Sequence, residues 1–389
     1  MLLPENDKQT EEFIEQHLHL NLAEVALKLD KRKDLPKSFV LNQINGKRKF
    51  KQKFPFLSDI EGFIFPSPTS FSQASSEIAA DYKSKIQKGD KILDLGGGMG
   101  MDSCFFANHF QEVDFVEHNE ELFHISRHNF AVLNKSNVYT HYEDGIDFLK
   151  KTKNIYDLIY IDPDRRSKKN KAFKVEDCEP NVLEILEDLF KRSNKLLIKF
   201  SPMLDIFSGI SQLRHIKEVH VLSINNECKE LLYLLDKEYT SEAVIKCINI
   251  ANKHSQAFEF LRSNESNHKV NYSVPLKFLY EPNASILKAG AFNTIASRFD
   301  LFKIAPNTHL YTSDNPIINF PGKVFEILST NKASKGVIKQ ANIISRNYPY
   351  TPEEIYKKYK IKSGGEIFIY ACSLMDNSKK WIIAKKINI

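Results

Sequence analysis

Lys91–Ser103 reads KILDLGGGMGMDS, and this stretch decides the fold. An apolar run ends in Asp94-Leu95, four glycines fall among the next five residues, and a helix signal follows. Glycines at such a junction let the chain turn sharply and let a ligand approach the backbone without a Cβ in the way. Their spacing separates two classes of cofactor. A dinucleotide fingerprint, Gly-x-Gly-x-x-Gly, would place its third glycine at position 101, which is Met101. The order present is Gly96-x-Gly98-x-Gly100 behind Asp94, so no diphosphate has to be seated on the helix N-terminus. A nicotinamide-dependent oxidoreductase is thereby disfavoured.

Outward from this loop, strand-like and helix-like stretches alternate. Strands are expected at Lys91–Leu95, Val113–Glu117, Val138–His141, Tyr156–Asp162 and Lys195–Phe200. Helices are expected at Asp102–His109, Glu120–Asn134, Gly145–Lys151 and Pro180–Ser193. Such alternation predicts an α/β fold, a Rossmann-like doubly wound parallel sheet covered on both faces. Glu218–Ile224 and Ala243–Ile250 would complete a seven-stranded sheet, while Lys229–Asp236 suits either a helix or a strand. Upstream, Glu11–Leu29 has helical spacing, Lys47–Lys53 (KRKFKQK) is basic, Phe65–Phe71 (FPSPTSF) reads as loop, and Ser75–Ile86 reads as helix. Downstream, Asn252–Asn271 reads as a linker or irregular hairpin. The remainder is a small α+β part, with helices at Ala284–Phe299, Lys332–Ser345 and Glu353–Lys358. A terminal hairpin pairs Glu366–Ser373 with Lys380–Lys386.

Composition narrows the class. Lys and Arg number 55 against 49 Asp and Glu, a formal charge of +6 that suits a polyanionic partner without requiring one. The five cysteines are scattered and include no CxxC pair, so neither a disulfide framework nor a zinc site is expected, and no other metal site is visible. No apolar run approaches the roughly 20 residues of a membrane span. The N-terminus (MLLPENDKQTEEF) lacks the basic-then-apolar order of a secretory signal, and a cytoplasmic protein is expected.

The glycine loop resembles the first motif of the class I S-adenosylmethionine-dependent methyltransferases, in which it hugs the methionine moiety. That resemblance implies S-adenosylmethionine as cofactor, with Gly96, Gly98 and Gly100 against it and Asp94 near its amino group. Glu117 ends the next strand, 21 residues beyond Gly96, where a carboxylate can accept from both ribose hydroxyls. Asp144, after the third strand, would accept from the adenine amino group; its other reading is a helix N-cap. Gln73 and Ser75 would edge the same cleft, with a helix cap the ordinary reading of Ser75.

Tyr156–Arg166 (YDLIYIDPDRR) closes the fourth strand, so Asp162 onward faces the cleft of an open α/β sheet. Asp162-Pro163 matches the start of the acid-Pro-Pro-aromatic motif of amino-group methyltransferases, but Asp164 and Arg165 replace the second proline and the ring. An ordinary N6-adenine enzyme is thereby disfavoured, and the Asp-Pro-x-Arg form is closer to enzymes that modify guanosine or other positions in RNA. Asp162, Pro163 and Arg165 are the expected catalytic set, with Asp162 orienting or deprotonating the acceptor. Arg165, Arg166, Lys168 and Lys169 are expected to hold RNA phosphate, and a solvated charged loop is the plain alternative. Lys199, ending the fifth strand, is expected to border the pocket.

Tyr280–Asp314 and Asn347–Tyr370 resemble the tail of the bacterial THUMP-like methyltransferases, which carry Asp-Pro-x-Arg-Arg after strand four. That resemblance spans nearly the whole chain and implies four parts: a helical region over 1–80, a methyltransferase domain over 81–252, a ferredoxin-like domain over 275–320 and a THUMP-like domain over 321–389. It also implies RNA, tRNA or rRNA, as partner. Tyr348, Tyr350, Tyr356 and Tyr359 lie among lysines, as in single-stranded RNA sites, or else pack as core. A small-molecule methyltransferase and a non-catalytic RNA-binding protein on the same scaffold are the rival functions.

Overall fold

The computed structural model describes residues 8–54, 60–165, 174–251, 254–334, 336 and 338–387. It divides into two units: the chain up to Lys217 with Glu230–Ser241, and Glu218–Lys229 with the chain from Glu242 onward.

The sheet of the first unit begins with β1 (Gly89–Leu95), β2 (Phe110–Glu117), β3 (Val138–Tyr142) and β4 (Leu158–Ile161). In strand order, Glu227–Asp236 is followed by Lys195–Phe200, β4, β1, β2 and, at the edge, β3. All of these pairs are parallel except the first, in which Leu231–Asp236 runs antiparallel to Lys195–Phe200. The chain builds from β1 out to β3, then returns to start again at β4 on the other side of β1. That reversal opens a crevice at the carboxyl ends of β1 and β4, where such sheets bind ligands. The sequence leaves Lys229–Asp236 open because LLYLLD is apolar without alternation; both faces of this strand are buried, so period 2 has nothing to act on.

The N-terminal region is helical, but Glu11–Leu29 is two helices, Lys8–His17 and Leu22–Leu29. Asn21 caps the second by accepting from the Glu24 N–H at 2.9 Å. Phe13, Ile14, Val25, Leu29, Val40 and Ile44 bury a small core between these helices and Lys37–Lys53. The KRKFKQK segment is the last part of that third helix, and its Phe50 is fully buried. Phe50 packs with Phe63 and Phe65 at 4.9 Å between centroids, in a cluster that includes Phe71, Met99, Met101 and Phe105. Part of the expected Phe65–Phe71 loop is ordered helix, Pro68–Gln73, capped by Ser67. Buried amides hold the extended segment before it. Gln43 bonds both backbone groups of Phe65, at 2.9 and 3.0 Å, and Asn129 bonds both of Ile64, at 2.8 and 2.9 Å. Each side-chain amide thus replaces a missing strand partner. The aromatic cluster meets the glycine loop through Met99 and Met101.

In the second unit, Val244–Ala251 lies parallel to Glu218–Ile224 and antiparallel to His254–Leu261. Of the two readings of Asn252–Asn271 the hairpin is the one seen, its return strand followed by the short helix Arg262–Asn267. A separate seven-stranded sheet contains Phe278–Pro282, Gly322–Asn331, Lys379–Ile387, Lys362–Ser373 and Gln340–Arg346. The terminal hairpin is present in the expected place. Two helical expectations are corrected. Ala284–Phe299 breaks into Ala284–Ala289 and Phe292–Arg298 at Gly290, whose φ is +74°. Lys332–Ser345 is not a helix: its second half is the strand Gln340–Arg346, where Ala341 and Ile343 alternate into the core and their neighbours do not.

Candidate functional site

The glycine loop leaves β1 at its carboxyl end. Gly96, Gly98 and Gly100 have φ of +77°, +58° and +76°, a region that costs an L-residue roughly 1–2 kcal/mol. The N–H groups of Gly96 and Gly97 both donate to the Val116 carbonyl at 3.0 Å, pinning the loop to β2. A Cβ on Gly97 would stand 2.2 Å from the Phe115 ring, and one on Gly100 would stand 2.5 Å from the Phe130 ring. A Cβ on Gly96 or Gly98 would meet nothing within 4 Å. The loop therefore has a packed side and an open side, and the open side can admit a ligand to the backbone.

This difference makes a paired prediction. Gly97→Ala is expected to lower stability by at least about 2 kcal/mol through overpacking against Phe115. Gly98→Ala should cost about 1 kcal/mol of backbone strain yet weaken binding on the open face more than Gly97→Ala does. Thermal melts and S-adenosylhomocysteine titrations of the two variants check both halves.

Buried carboxylates surround the loop. Asp94 is 1% exposed; its Oδ2 accepts from Ser103 Oγ at 2.5 Å, and its Oδ1 has no hydrogen-bond partner among the described residues. Burial pushes this carboxyl up to about 8, with the Ser103 bond opposing and the Asp102 charge reinforcing. Glu117 accepts the Gly98 N–H on Oε2 at 2.8 Å and the Asn119 N–H on Oε1 at 2.7 Å. A carboxylate has about four acceptor positions, so two remain for a pair of hydroxyls. Asp144 is exposed and caps the helix Gly145–Lys151, its Oδ1 accepting from Ile146 and Asp147 N–H at 2.9 and 3.1 Å. The cap reading of Asp144 is thus the one the structure displays, and Oδ2 is what remains for a ligand.

Beyond β4, Asp162 forms an ion pair with Lys199 at the end of the neighbouring strand. The Asp162 side chain keeps 32% of its surface exposed, against 12% for Lys199. Loss of hydration raises Asp162 above the usual carboxylate range, against the pull of Lys199 and Lys83. Lys199 in turn is held protonated against its own burial by Asp162, Glu230 and Asp102. Pro163 is buried directly after Asp162, and Asp164 and Arg165 form a short antiparallel pairing with Glu179 and Cys178. The Arg165 side chain, Arg166, Lys168 and Lys169 lie outside the described residues.

The sequence reading missed a buried charge cluster under this site. Lys83 has no exposed surface, and its Nζ reaches Asp102 Oδ2 at 2.9 Å, Ser75 Oγ at 2.5 Å and Glu230 Oε2 at 3.1 Å. Tyr160 and Ser75 also donate to Asp102 Oδ2, at 2.7 and 3.0 Å. Against the cost of burial, Lys83 and Lys199 hold Asp102 below the usual carboxylate range. Ser75 is therefore not a helix cap; Ser76 is, accepting from the Ala79 N–H. Gln73 is exposed at the end of its helix. Lys53 approaches from the third N-terminal helix, donates to the Phe71 and Ser72 carbonyls at 2.8 and 3.3 Å, and is lowered to about 8 by burial and by Lys199.

Elsewhere, Tyr348, Tyr350, Tyr356 and Tyr359 pack against a core of Ile343, Ile355 and Trp381, as the plainer reading of those tyrosines has it. Among the described residues no group of three or more His, Cys, Asp or Glu could hold a metal ion, and no helix is long and apolar enough to cross a membrane.

Comparison with known proteins agrees with this geometry. Residues 67–163 match the protein-L-isoaspartate(D-aspartate) O-methyltransferase family model, residues 278–321 match a ferredoxin-like domain and residues 322–386 match a THUMP-like domain. The first match runs from the helix Pro68–Gln73 through the glycine loop and β1–β4 and stops at Pro163. A protein of Porphyromonas gingivalis W83, solved as a candidate methyltransferase, superposes over 100% of both chains with a TM-score of 0.89 at 29% identity. Ribosomal RNA small subunit methyltransferase J of Bdellovibrio bacteriovorus is 30% identical over 110 residues, which are 27% of this chain and 44% of that protein. An uncharacterised RNA methyltransferase of Mycoplasma mobile is 27% identical over 171 residues, 41% of this chain and 46% of that protein. The chain thus spans less than half the length of these two curated relatives. The Rossmann-like sheet reversing between β1 and β4, the Gly96–Gly100 loop and these matches together identify the chain as a class I S-adenosylmethionine-dependent methyltransferase fold carrying ferredoxin-like and THUMP-like domains.

Proposed function

We propose that the protein is an S-adenosylmethionine-dependent methyltransferase acting on RNA, with transfer at the carboxyl ends of β1 and β4. One observation carries the cofactor: Gly96 and Gly98 hold left-handed backbone beside open space, next to a buried Asp94 oxygen that has no donor among the described residues. A donor-rich group that approaches the backbone closely fits there, and the methionine end of S-adenosylmethionine is such a group. Asp94 would receive the cofactor's ammonium group. Glu117, already orienting the loop through Gly98, would accept from the ribose hydroxyls, and Asp144 Oδ2 from the adenine amino group.

When bound, the cofactor supplies a methyl group on a sulfonium, a good leaving group that needs no metal to depart. The protein's task is then to place the acceptor in line and to manage its proton. Asp162 suits that task. Lys199 engages Oδ2, which leaves Oδ1 to accept a hydrogen bond from an amine or hydroxyl. Pro163 stiffens the chain directly beyond it. Arg165, Arg166, Lys168 and Lys169 would follow the acceptor's phosphates. RNA as acceptor is supported by the names of the two curated relatives and by the excess of cations over anions; tRNA and rRNA both meet that description.

The test is transfer of labelled methyl from S-adenosylmethionine to total RNA from cells lacking the gene. Label in one RNA band is the expected result. Cofactor binding with label only in a small-molecule extract would replace RNA by a small acceptor. Cofactor binding with no labelled product would turn the domain into a scaffold, and absence of cofactor binding would remove the proposal altogether.

A further inference from the structure

The buried cluster beneath the glycine loop contains a feature that ordinary structural ion pairing does not explain. Asp102 sits in the first turn of the helix that follows the loop and is 9% exposed. All three of its donors, Lys83, Ser75 and Tyr160, converge on Oδ2. Its other oxygen, Oδ1, is buried with no hydrogen-bond partner among the described residues. Buried carboxylate oxygens are normally bonded, and leaving one bare costs roughly 1–3 kcal/mol. The side chain cannot turn to share its donors, because three groups, two from the segment Ser75–Lys83 and one from β4, clamp the other oxygen.

Asp94 repeats the pattern at the opposite end of the loop. Its Oδ2 is held by Ser103, the residue next to Asp102, and its Oδ1 is likewise without a partner among the described residues. The two carboxylates are close enough for the charge of Asp102 to raise Asp94. Two clamped acids flank one glycine loop, and each keeps a buried acceptor oxygen with no donor among the described residues, the chemical complement of a compact cation with several N–H donors. A primary ammonium has that chemistry: three donors, one positive charge and little bulk.

We infer that Asp102 is a second carboxylate for the ammonium group of the bound cofactor, acting with Asp94, and that Lys83 is the internal counter-charge that keeps it in place. This rests on the S-adenosylmethionine reading above. Lys83 suits the part because it is fully buried, out of a ligand's reach, and meets Asp102 at the clamped oxygen, Oδ2. Glu230, on the far side of Lys83, shares the same ammonium.

Two probes separate this role from a structural one. S-adenosylhomocysteine carries the ammonium, whereas 5′-methylthioadenosine has the same nucleoside and sulfur without the amino-acid end. Asp102→Asn can keep its carbonyl oxygen toward Lys83, Ser75 and Tyr160 and turn its NH2 to the bare side, where it repels a cation. Calorimetric titration of the full chain is expected to show S-adenosylhomocysteine weakened about 10- to 50-fold, the loss of one charge-assisted hydrogen bond. 5′-Methylthioadenosine should stay within about twofold. Equal loss of both ligands, or of neither, overturns the proposal in favour of a purely structural cluster. Failure of the unaltered protein to bind either ligand overturns the cofactor reading as well, which distinguishes the two failures. Should Asp102→Asn not fold, Tyr160→Phe loosens the clamp by removing a single hydroxyl. It is expected to lower S-adenosylhomocysteine affinity a few-fold with the other probe unmoved, and an unchanged ratio of the two would equally overturn the assignment.

Discussion

Asp94→Asn is expected to make the free protein more heat-stable while weakening S-adenosylhomocysteine at least about tenfold. Both effects come from one carboxylate. Asp94 is almost completely buried, keeps one oxygen without a donor among the described residues and is pushed up to about 8. A carboxyl whose folded pKa lies above its unfolded value favours the fold only while protonated. The unfolded chain ionises it near 4, so stability falls as pH rises from there to about 8. At pH 7 this bounds the penalty at roughly 4 kcal/mol. Asparagine removes the ionisation but leaves a buried polar atom unpaired, which returns about 1–3 kcal/mol of it. The variant should melt a few degrees above the parent near pH 8 and below it at about pH 4 and under, where only the cost of the unpaired atom remains, read by melts across that range. A variant that melts lower than the parent at pH 8 would mean that Asp94 is stabilised in its charged form.

The same carboxyl makes binding depend on pH. An ammonium group needs Asp94 ionised, so below about 8 the free protein must release a proton as the ligand enters. Affinity for S-adenosylhomocysteine should therefore rise with pH toward 8, and the apparent enthalpy should vary with the buffer's ionisation heat. Asp94→Asn abolishes both dependences. Function placed on a destabilised group is the usual relation between stability and activity at binding sites.

How much of this was legible in the chain depended on whether neighbours in space were neighbours in sequence. Asp94, Gly96, Gly98 and Gly100 lie within seven residues and announce one another, and Glu117 follows by the length of one helix and one strand. Lys83, Asp102, Glu230 and Tyr160 come from four segments. Only the packing of the helix Glu77–Ser84 against a sheet in which Glu227–Asp236 lies two strands from β4 brings them together. In KSK and in CKELL, Lys83 and Glu230 read as ordinary surface charges. A fully buried lysine is rare because desolvation is costly, and it survives here on two acids that no local pattern reveals. The misplaced helix at Lys332–Ser345 has a similar origin. Its lysines, alanines and serines permit a helix, whereas the strand Gln340–Arg346 is decided by its partner Lys362–Ser373.

Asp162→Asn is expected to lower methyl transfer by about 100-fold or more while S-adenosylhomocysteine binds within about threefold of the parent. The split follows from position. Asp162 stands at the end of β4 with a third of its side chain exposed, whereas the groups assigned to the cofactor lie on β1, β2 and the segments that follow β1, β2 and β3. Its partner supplies the control. Loss of hydration raises Asp162 and the Lys199 charge opposes that rise, so activity should climb with pH as Asp162 ionises. Lys199→Met removes the opposing charge, and the acid limb of kcat/KM should move to higher pH without disappearing. Asp162→Asn should abolish the limb. If Lys199→Met leaves the limb where it was, the titrating group is not Asp162, and its carboxylate then serves only to position the acceptor.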